Sequence, residues 1–281
     1  MSKELKGRIF EQLDSLALID PHTHINPHRP TSVNLGDFLG YHYYTELAHS
    51  AGLPRAEIEQ PGLDARQRVQ RLLEGIPHID NTIQFSWLLE AARGLFDIDI
   101  DCLDRSNWQE LWDVAVAKMK QPDWETQVLK RSRLESVFLT NDFDDPLEGF
   151  DTGRYIPCLR TDDLVFQLWN PRVVERLEAC TNTSIQNLSD LRSALAQRFH
   201  YFTARNAKAC AISLPPWFTP IYISDGDAEK ALSTLQTLHG DSPAEDRELL
   251  GYWVFWQLAE NCRKYELPFD LMIGVVRQVY P

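Results

Sequence analysis

Positive charge is scarce in this chain: 28 Lys and Arg stand against 41 Asp and Glu, a formal net charge of −13 at pH 7. Binding nucleic-acid phosphates calls for a basic patch, and docking on an anionic membrane surface calls for a polybasic stretch, so neither partner is expected. No segment is long and apolar enough to span a bilayer. The opening Met1-Ser2-Lys3-Glu4-Leu5-Lys6 is charged and leads into an amphipathic helix rather than a signal peptide. Cysteine is sparse, odd in number and scattered (Cys102, Cys158, Cys180, Cys210, Cys262), with no Cys-x-x-Cys. That pattern predicts reduced thiols in a cytoplasmic protein instead of a disulfide framework. Internal repeats and low-complexity linkers are missing too.

What is present is ordinary globular material. The 281 residues are 43% hydrophobic and 25% charged, enough for one large α/β domain or two smaller ones. Aromatics reach 11% with eight tryptophans, enough to line a deep pocket or fill a large core.

The stretch Leu16-Ala17-Leu18-Ile19-Asp20-Pro21-His22-Thr23-His24 reads as a short buried strand ending in two histidines one residue apart. Alternation along a strand points Asp20, His22 and His24 the same way. Two imidazoles projecting together suit a divalent metal, Zn²⁺ above all; a polar turn between Pro21 and Pro27 is the competing reading. Residues 3–15 predict a helix with Leu5, Ile9, Phe10 and Leu13 on one stripe. A helix from about His42 should stop at Gly52, with Pro54 blocking its continuation. From 64 to 134 the pattern is almost entirely helical, interrupted at Pro77.

Strands then follow at Ser136–Thr140, Tyr155–Leu159, Ala207–Leu214 and 269–276, separated by helices over 189–205 and 245–265. Ser189 and Asp190 are N-cap candidates for the first of these helices. Five short apolar strands with helices between them predict a parallel sheet with βα crossovers. Polar residues gather just past the strands: His22 and His24, Asn141 and Asp142, Arg160, Arg277. Ligand sites of (β/α)₈ barrels lie at that end. A doubly wound sheet would carry a glycine-rich phosphate loop after its first strand, where this chain has two histidines. The expected fold is an α/β (β/α)₈ TIM-barrel type: a single domain over 1–281, with a helical insertion over 31–135.

Six motifs in order resemble the uronate (glucuronate) isomerase family of the amidohydrolase superfamily. Asp20-Pro21-His22-Thr23-His24 resembles its Asp-x-His-x-His, and Gly40-Tyr41-His42-Tyr43 its His-Tyr helix opening. Ile76-Pro77-His78 with Trp87 and Leu89-Glu90 is similar to its helical insertion. Leu139-Thr140-Asn141-Asp142 with Asp145-Pro146 is similar to its Thr-Thr-Asp-Asp-Pro loop. Leu159-Arg160-Thr161-Asp162 matches Trp-Arg-Pro-Asp, and Ile273-Gly274-Val275-Val276-Arg277 matches Ile-Gly-Ala-Leu-Arg. There are departures. Cys210-Ala211-Ile212 stands where the family has Ser-Asp-His, Met272 where it has a histidine, and Glu46 where it has an arginine. The family's later strands, one of which bears a metal-ligand aspartate, have no counterpart up to Pro281, so the barrel is expected to be incomplete.

The resemblance implies an aldose–ketose isomerase that interconverts hexuronates such as D-glucuronate or D-galacturonate with their keto forms by C1–C2 proton transfer. It implies His22 and His24 as metal ligands, His42 and Tyr43 as catalytic residues, and Arg160 and Arg277 as grips on the sugar carboxylate. Two histidines are half of a metal site, so another oxygen ligand or a partner chain is expected to supply the rest. For Arg160 an ion pair with Asp162 or Asp163 stays open, and for the acidic loop 141–145 a solvated turn is favoured over a cation loop. The expected partner is a small sugar acid, with a homo-oligomer left open. Two other functions stay open: a metal-dependent hydrolase of the same superfamily, and a non-catalytic remnant with a binding role.

Overall fold

Parallel strands joined by helices make up the part of the chain that carries the histidine pair. The computed structural model describes residues 2–274, and of His42 and Pro77 the backbone alone. Its strands are β1 (Leu18–Asp20), β2 (Leu134–Phe138), β3 (Asn141–Asp142), β4 (Tyr155–Ile156), β5 (Cys158–Arg160), β6 (Ala209–Leu214) and β7 (Phe269–Ile273). Helix α1 (Lys3–Asp14) precedes β1. Between β1 and β2 come α2 (Leu35–Leu39), α3 (His42–Ser50), α4 (Arg55–Ile58), α5 (Ala65–Gly75), α6 (Ile83–Phe96), α7 (Trp108–Met119) and α8 (Trp124–Arg131). Helices α9 (Asp162–Phe166), α10 (Pro171–Thr181) and α11 (Leu188–Thr203) connect β5 to β6, and α12 (Asp225–Leu238) and α13 (Ala244–Lys264) connect β6 to β7.

The strand orders are β1-β2-β4 and β3-β5-β6-β7. Every recorded pairing is parallel. Both divisions are breaks within one pass of chain: Leu139-Thr140 separates β2 from β3, and Pro157 separates β4 from β5 because it has no N–H to give the ladder. The second pass therefore lies beside the third throughout, with Phe138 opposite Ile156 and then Asn141 opposite Leu159. The described sheet is five parallel passes laid side by side in chain order.

Two apolar expectations need correcting. Leu16, Leu18 and Ile19 are exposed (53%, 48% and 58%), so the strand read as buried is not covered by described residues. Helix α1 forms as expected with Ser2 as its N-cap, yet it has no buried residue; its stripe of Leu5, Ile9, Phe10 and Leu13 is exposed.

The chain divides into two units, one of residues 2–18 and 28–135 and the other of 19–27 and 136–274. The first is helical. Asp64 and Gln67 form a reciprocal capping box at the start of α5, and Thr82 caps α6, which ends on Asp97 in the left-handed region (φ 57°). Leu35, Val69, Leu72, Leu88, Trp108 and Trp124 belong to its core. As read from the sequence, α3 stops before Gly52, whose φ of 93° suits glycine.

The second unit holds the sheet. Along β6 the residues alternate: Cys210, Ile212 and Leu214 join the core beneath the helices with Leu195, Phe199, Trp253 and Leu258. Ala209 and Ala211 form a separate small cluster with Cys158 on the other face. Helix α11 begins one residue before the predicted start. Its cap is Asn187, which accepts from the Asp190 N–H, and not Ser189 or Asp190, which lie inside the first turn. Helix α13 carries Glu245 and Asp246 in its first turn and Arg263 and Lys264 in its last, in the sense the helix dipole favours.

Gly251 lets α13 close on α9: a Cβ there would stand 2.7 Å from the carbonyl oxygen of Val165. Alanine adds about 1 kcal/mol of helix propensity but forces backbone apart at a cost of about 1–3 kcal/mol. Gly251→Ala is therefore expected to lower the urea midpoint. An unchanged or raised midpoint would mean that the two helices separate without cost.

Candidate metal and substrate site

Strand β1 stops at Asp20 because Pro21 follows and the Asp20 side chain folds back to accept from the His22 N–H at 3.1 Å. The histidine pair thus lies just past the strand and not on it, a correction to the expected strand alternation. The chain still runs beside β2, with the Thr23 N–H donating to the Phe138 carbonyl at 2.9 Å. The two imidazoles meet edge to face, ring centroids 5.0 Å apart at 87°.

The tautomer of His24 follows from its neighbour. Thr140 Oγ1 donates to the Thr23 carbonyl at 3.0 Å and lies 3.1 Å from His24 Nδ1. A hydroxyl has one hydrogen, so Thr140 accepts from His24: Nδ1 carries the proton and Nε2 keeps a lone pair. His22 Nδ1 lies 4.0 Å from an oxygen of Asp270. Its Nε2 is buried with no hydrogen-bond partner. An orphaned ring nitrogen beside a second imidazole with a free Nε2 lone pair fits a divalent metal. Among the described residues, however, no group of three or more His, Cys, Asp or Glu side chains forms a metal set.

Register carries this polar face across the sheet. Asp142 pairs with Arg160, Arg160 with Ala211, and Ala211 with Asp270. Parallel partners share a face, so these four side chains form one row on the side opposite the helix-covered core. In a flat sheet, four strand spacings of about 4.8 Å would hold the first and last passes roughly 19 Å apart. The 4.0 Å approach of His22 to Asp270 shows that the sheet curls so that this row lines its inside.

Most charges near the strand ends already have partners. Arg160 donates to both oxygens of Asp162, at 3.1 and 3.3 Å, and this ion pair raises its already high pKa. Arg176 on α10 donates to Asp144 at 2.8 Å and Asp163 at 2.9 Å and lies 3.6 Å from Asp142. Its hydrogen bonds hold the Asp144 carboxyl below the usual range, while burial pushes the Asp142 carboxyl up. Asp145 accepts from Asn141 and from the Leu147 N–H. The acidic loop is thus a structural turn tied to Arg176. Cys210 is buried and its thiol is pushed well up by burial, the reverse of an activated nucleophile.

The other sequence candidates lie elsewhere. Tyr43 sits on α3, exposed, with its ring edge-on to Tyr41 at 5.2 Å. His42 opens α3, and its side chain lies outside the described residues, as does all of Arg277. His49 binds the Leu53 carbonyl at 3.0 Å and faces Glu59, a structural role. Sequence reasoning missed Thr140 and Asp270 as partners of the histidines. Asp270 lies two residues before Met272 on a strand, and that alternation was the available signal.

With this geometry in hand, the likenesses to known proteins can be stated. The family model for glucuronate isomerase matches residues 1–280. The chain is 23% identical to a uronate isomerase of Nostoc punctiforme over 310 aligned positions, covering all of this chain and 63% of that protein. It is 22% identical to a uronate isomerase of Xanthomonas oryzae pv. oryzae, with 62% of that protein covered. Its fold superposes on the crystal structure of a Thermotoga maritima uronate isomerase with a TM-score of 0.85 at 15% identity, over 96% of this chain and 62% of that one. The glucuronate isomerase of Caulobacter crescentus gives a TM-score of 0.81 at 20% identity, over 95% of this chain and 59% of that one. The chain spans about three-fifths of the length of these relatives. The expected fold class holds: its strands are five parallel passes of a (β/α)₈ barrel of amidohydrolase type.

Replacing Arg176 by Met leaves Asp144 and Asp163 without their cation. The expected loss is about 1–2 kcal/mol at neutral pH, a charged hydrogen-bond contribution discounted for the third of the side chain that water reaches. Because the Asp144 pKa is depressed in the folded state, its contribution is complete above the unfolded carboxylate pKa of about 3.9 and is lost as pH falls through the folded value. The difference between wild type and Arg176→Met in urea unfolding should therefore shrink below about pH 4. A gap independent of pH would assign the loss to packing alone.

Proposed function

Because the chain belongs to the glucuronate isomerase family, we propose that it interconverts hexuronates such as D-glucuronate and D-galacturonate with their keto forms by moving a proton between C1 and C2. The observation that carries this reading is the imidazole pair past the first parallel strand. His22 Nε2 lacks a hydrogen-bond partner and His24 Nε2 retains its lone pair, at the end of the sheet where barrels of this kind bind ligands. His22 and His24 would hold a divalent cation, Zn²⁺ by our choice, which when bound supplies a positive charge that polarises the oxygens of the sugar.

The protein's own residues take the remaining roles. An anionic sugar approaching a chain of net charge −13 needs local positive groups. Arg160 is one: its guanidinium lies in the row on the inner face, and an incoming carboxylate takes over hydrogen bonds now made to Asp162. His42 and Tyr43 are assigned to substrate contact, with the Tyr43 hydroxyl as proton donor, and Arg277 to the carboxylate; these rest on the family motifs alone. The five free thiols fit a reducing compartment, and we place the protein in the cytoplasm.

The test is an aldose-to-ketose assay on purified protein supplied with Zn²⁺ or Mn²⁺, with D-glucuronate and D-galacturonate as separate substrates. Turnover of either is expected. His22→Ala with His24→Ala should abolish it, and Arg160→Met should raise KM at least tenfold with a smaller change in kcat. Turnover of a lactone, ester or amide panel with no isomerisation would replace the reading with a hydrolase. No metal uptake and no turnover would replace it with a non-catalytic binding role.

A further inference from the structure

We propose that Asp270 is a positioning residue for His22: its carboxylate fixes the imidazole proton on Nδ1, so that Nε2 presents its lone pair to a divalent metal. The inference rests on the metal reading above and assigns a role to a side chain outside the family motifs. Three observations meet here. Asp270 lies opposite Ala211 in the β6–β7 ladder, on the inner face, with only a methyl group at the neighbouring register position. One oxygen of Asp270 stands 4.0 Å from His22 Nδ1. On the far side of the same ring, Nε2 is buried without a partner.

A neutral imidazole has one N–H to place. On Nε2 it would be a buried, unsatisfied donor, and the Nδ1 lone pair would face a carboxylate. On Nδ1 it points at that carboxylate. Both terms favour the second tautomer. The distance exceeds a hydrogen bond, so the hold is electrostatic or runs through one bridging water. Asp270 is half exposed and can reorient at little cost. The result parallels His24, whose Nδ1 proton is held by Thr140. Each imidazole is turned by an oxygen on Nδ1, which leaves both Nε2 atoms as acceptors. Such outer partners set ligand orientation, and their loss typically costs about 10–100-fold in metal affinity.

The experiment uses full-length protein stripped with chelator and labelled with ¹⁵N-histidine. Long-range ¹H–¹⁵N correlation spectra report the tautomer of each ring, with His22 assigned by its absence in His22→Gln. Zn²⁺ alone is then titrated by calorimetry. Wild type is expected to show Nδ1–H at His22. Asp270→Ala should lose that preference and bind Zn²⁺ about 10–100-fold more weakly, while Asp270→Glu restores both in part. Asp270→Asn, isosteric and still an acceptor, should fall between, and its circular dichroism guards against a folding defect. An unchanged tautomer in Asp270→Ala with affinity within twofold of wild type overturns the proposal. If the tautomer depends on Asp270 but neither protein takes up Zn²⁺, the metal reading falls while the hold of Asp270 on the ring stands.

Discussion

Parallel register across β5, β6 and β7 is the constraint on which the rest of this structure depends. It sends Cys210, Ile212 and Leu214 into the helix-covered core and leaves Ala209 and Ala211 on the opposite face. The same ladder aligns Arg160, Ala211 and Asp270 on that opposite face. A slip of one residue in β7 would drive Asp270 into the apolar layer beneath α13, a burial cost that no partner there offsets. Register therefore specifies the core and the polar row together.

Electrostatics on that face follow a consistent pattern. Arg160 is engaged by Asp162, and Arg176 by Asp144 and Asp163. These pairs shape the strand ends and leave the neighbourhood close to neutral in an acidic chain. The imidazoles are different, because oxygens of Thr140 and Asp270 face their Nδ1 atoms and not their Nε2 atoms. Under the proposed reading, the site's missing positive charge comes from a cation on those nitrogens, and Arg160 exchanges an internal carboxylate for that of the substrate. Exchange of one carboxylate for another costs little, since the hydrogen bonds of the fork are conserved.

Much of this was legible beforehand. The helices over 83–95, 189–205 and 245–265 were readable because a 3.6-residue apolar period is a local property, and α6, α11 and α13 fall within one or two residues of them. The sheet strands were readable from short apolar runs, and the family likeness from six ordered motifs. Caps were less legible: Asn187, Ser189 and Asp190 are all competent, and only the backbone turn at Asn187 selects it. Exposure of Leu16, Leu18 and Ile19 was not legible, because an apolar strand is the same string whether or not another element covers it.

The sequence by itself determined which side chains stand at the ends of strands, because alternation and chain order follow from backbone geometry alone. His22, His24 and Arg160 were candidates on that basis. Only the tertiary structure decided what each one faces. The curl of the sheet brings residue 270 to residue 22 across nearly the whole chain, and the β2–β3 break turns the Thr140 hydroxyl toward His24. Such pairings arise from the closing of space between distant strands, and no local pattern encodes them.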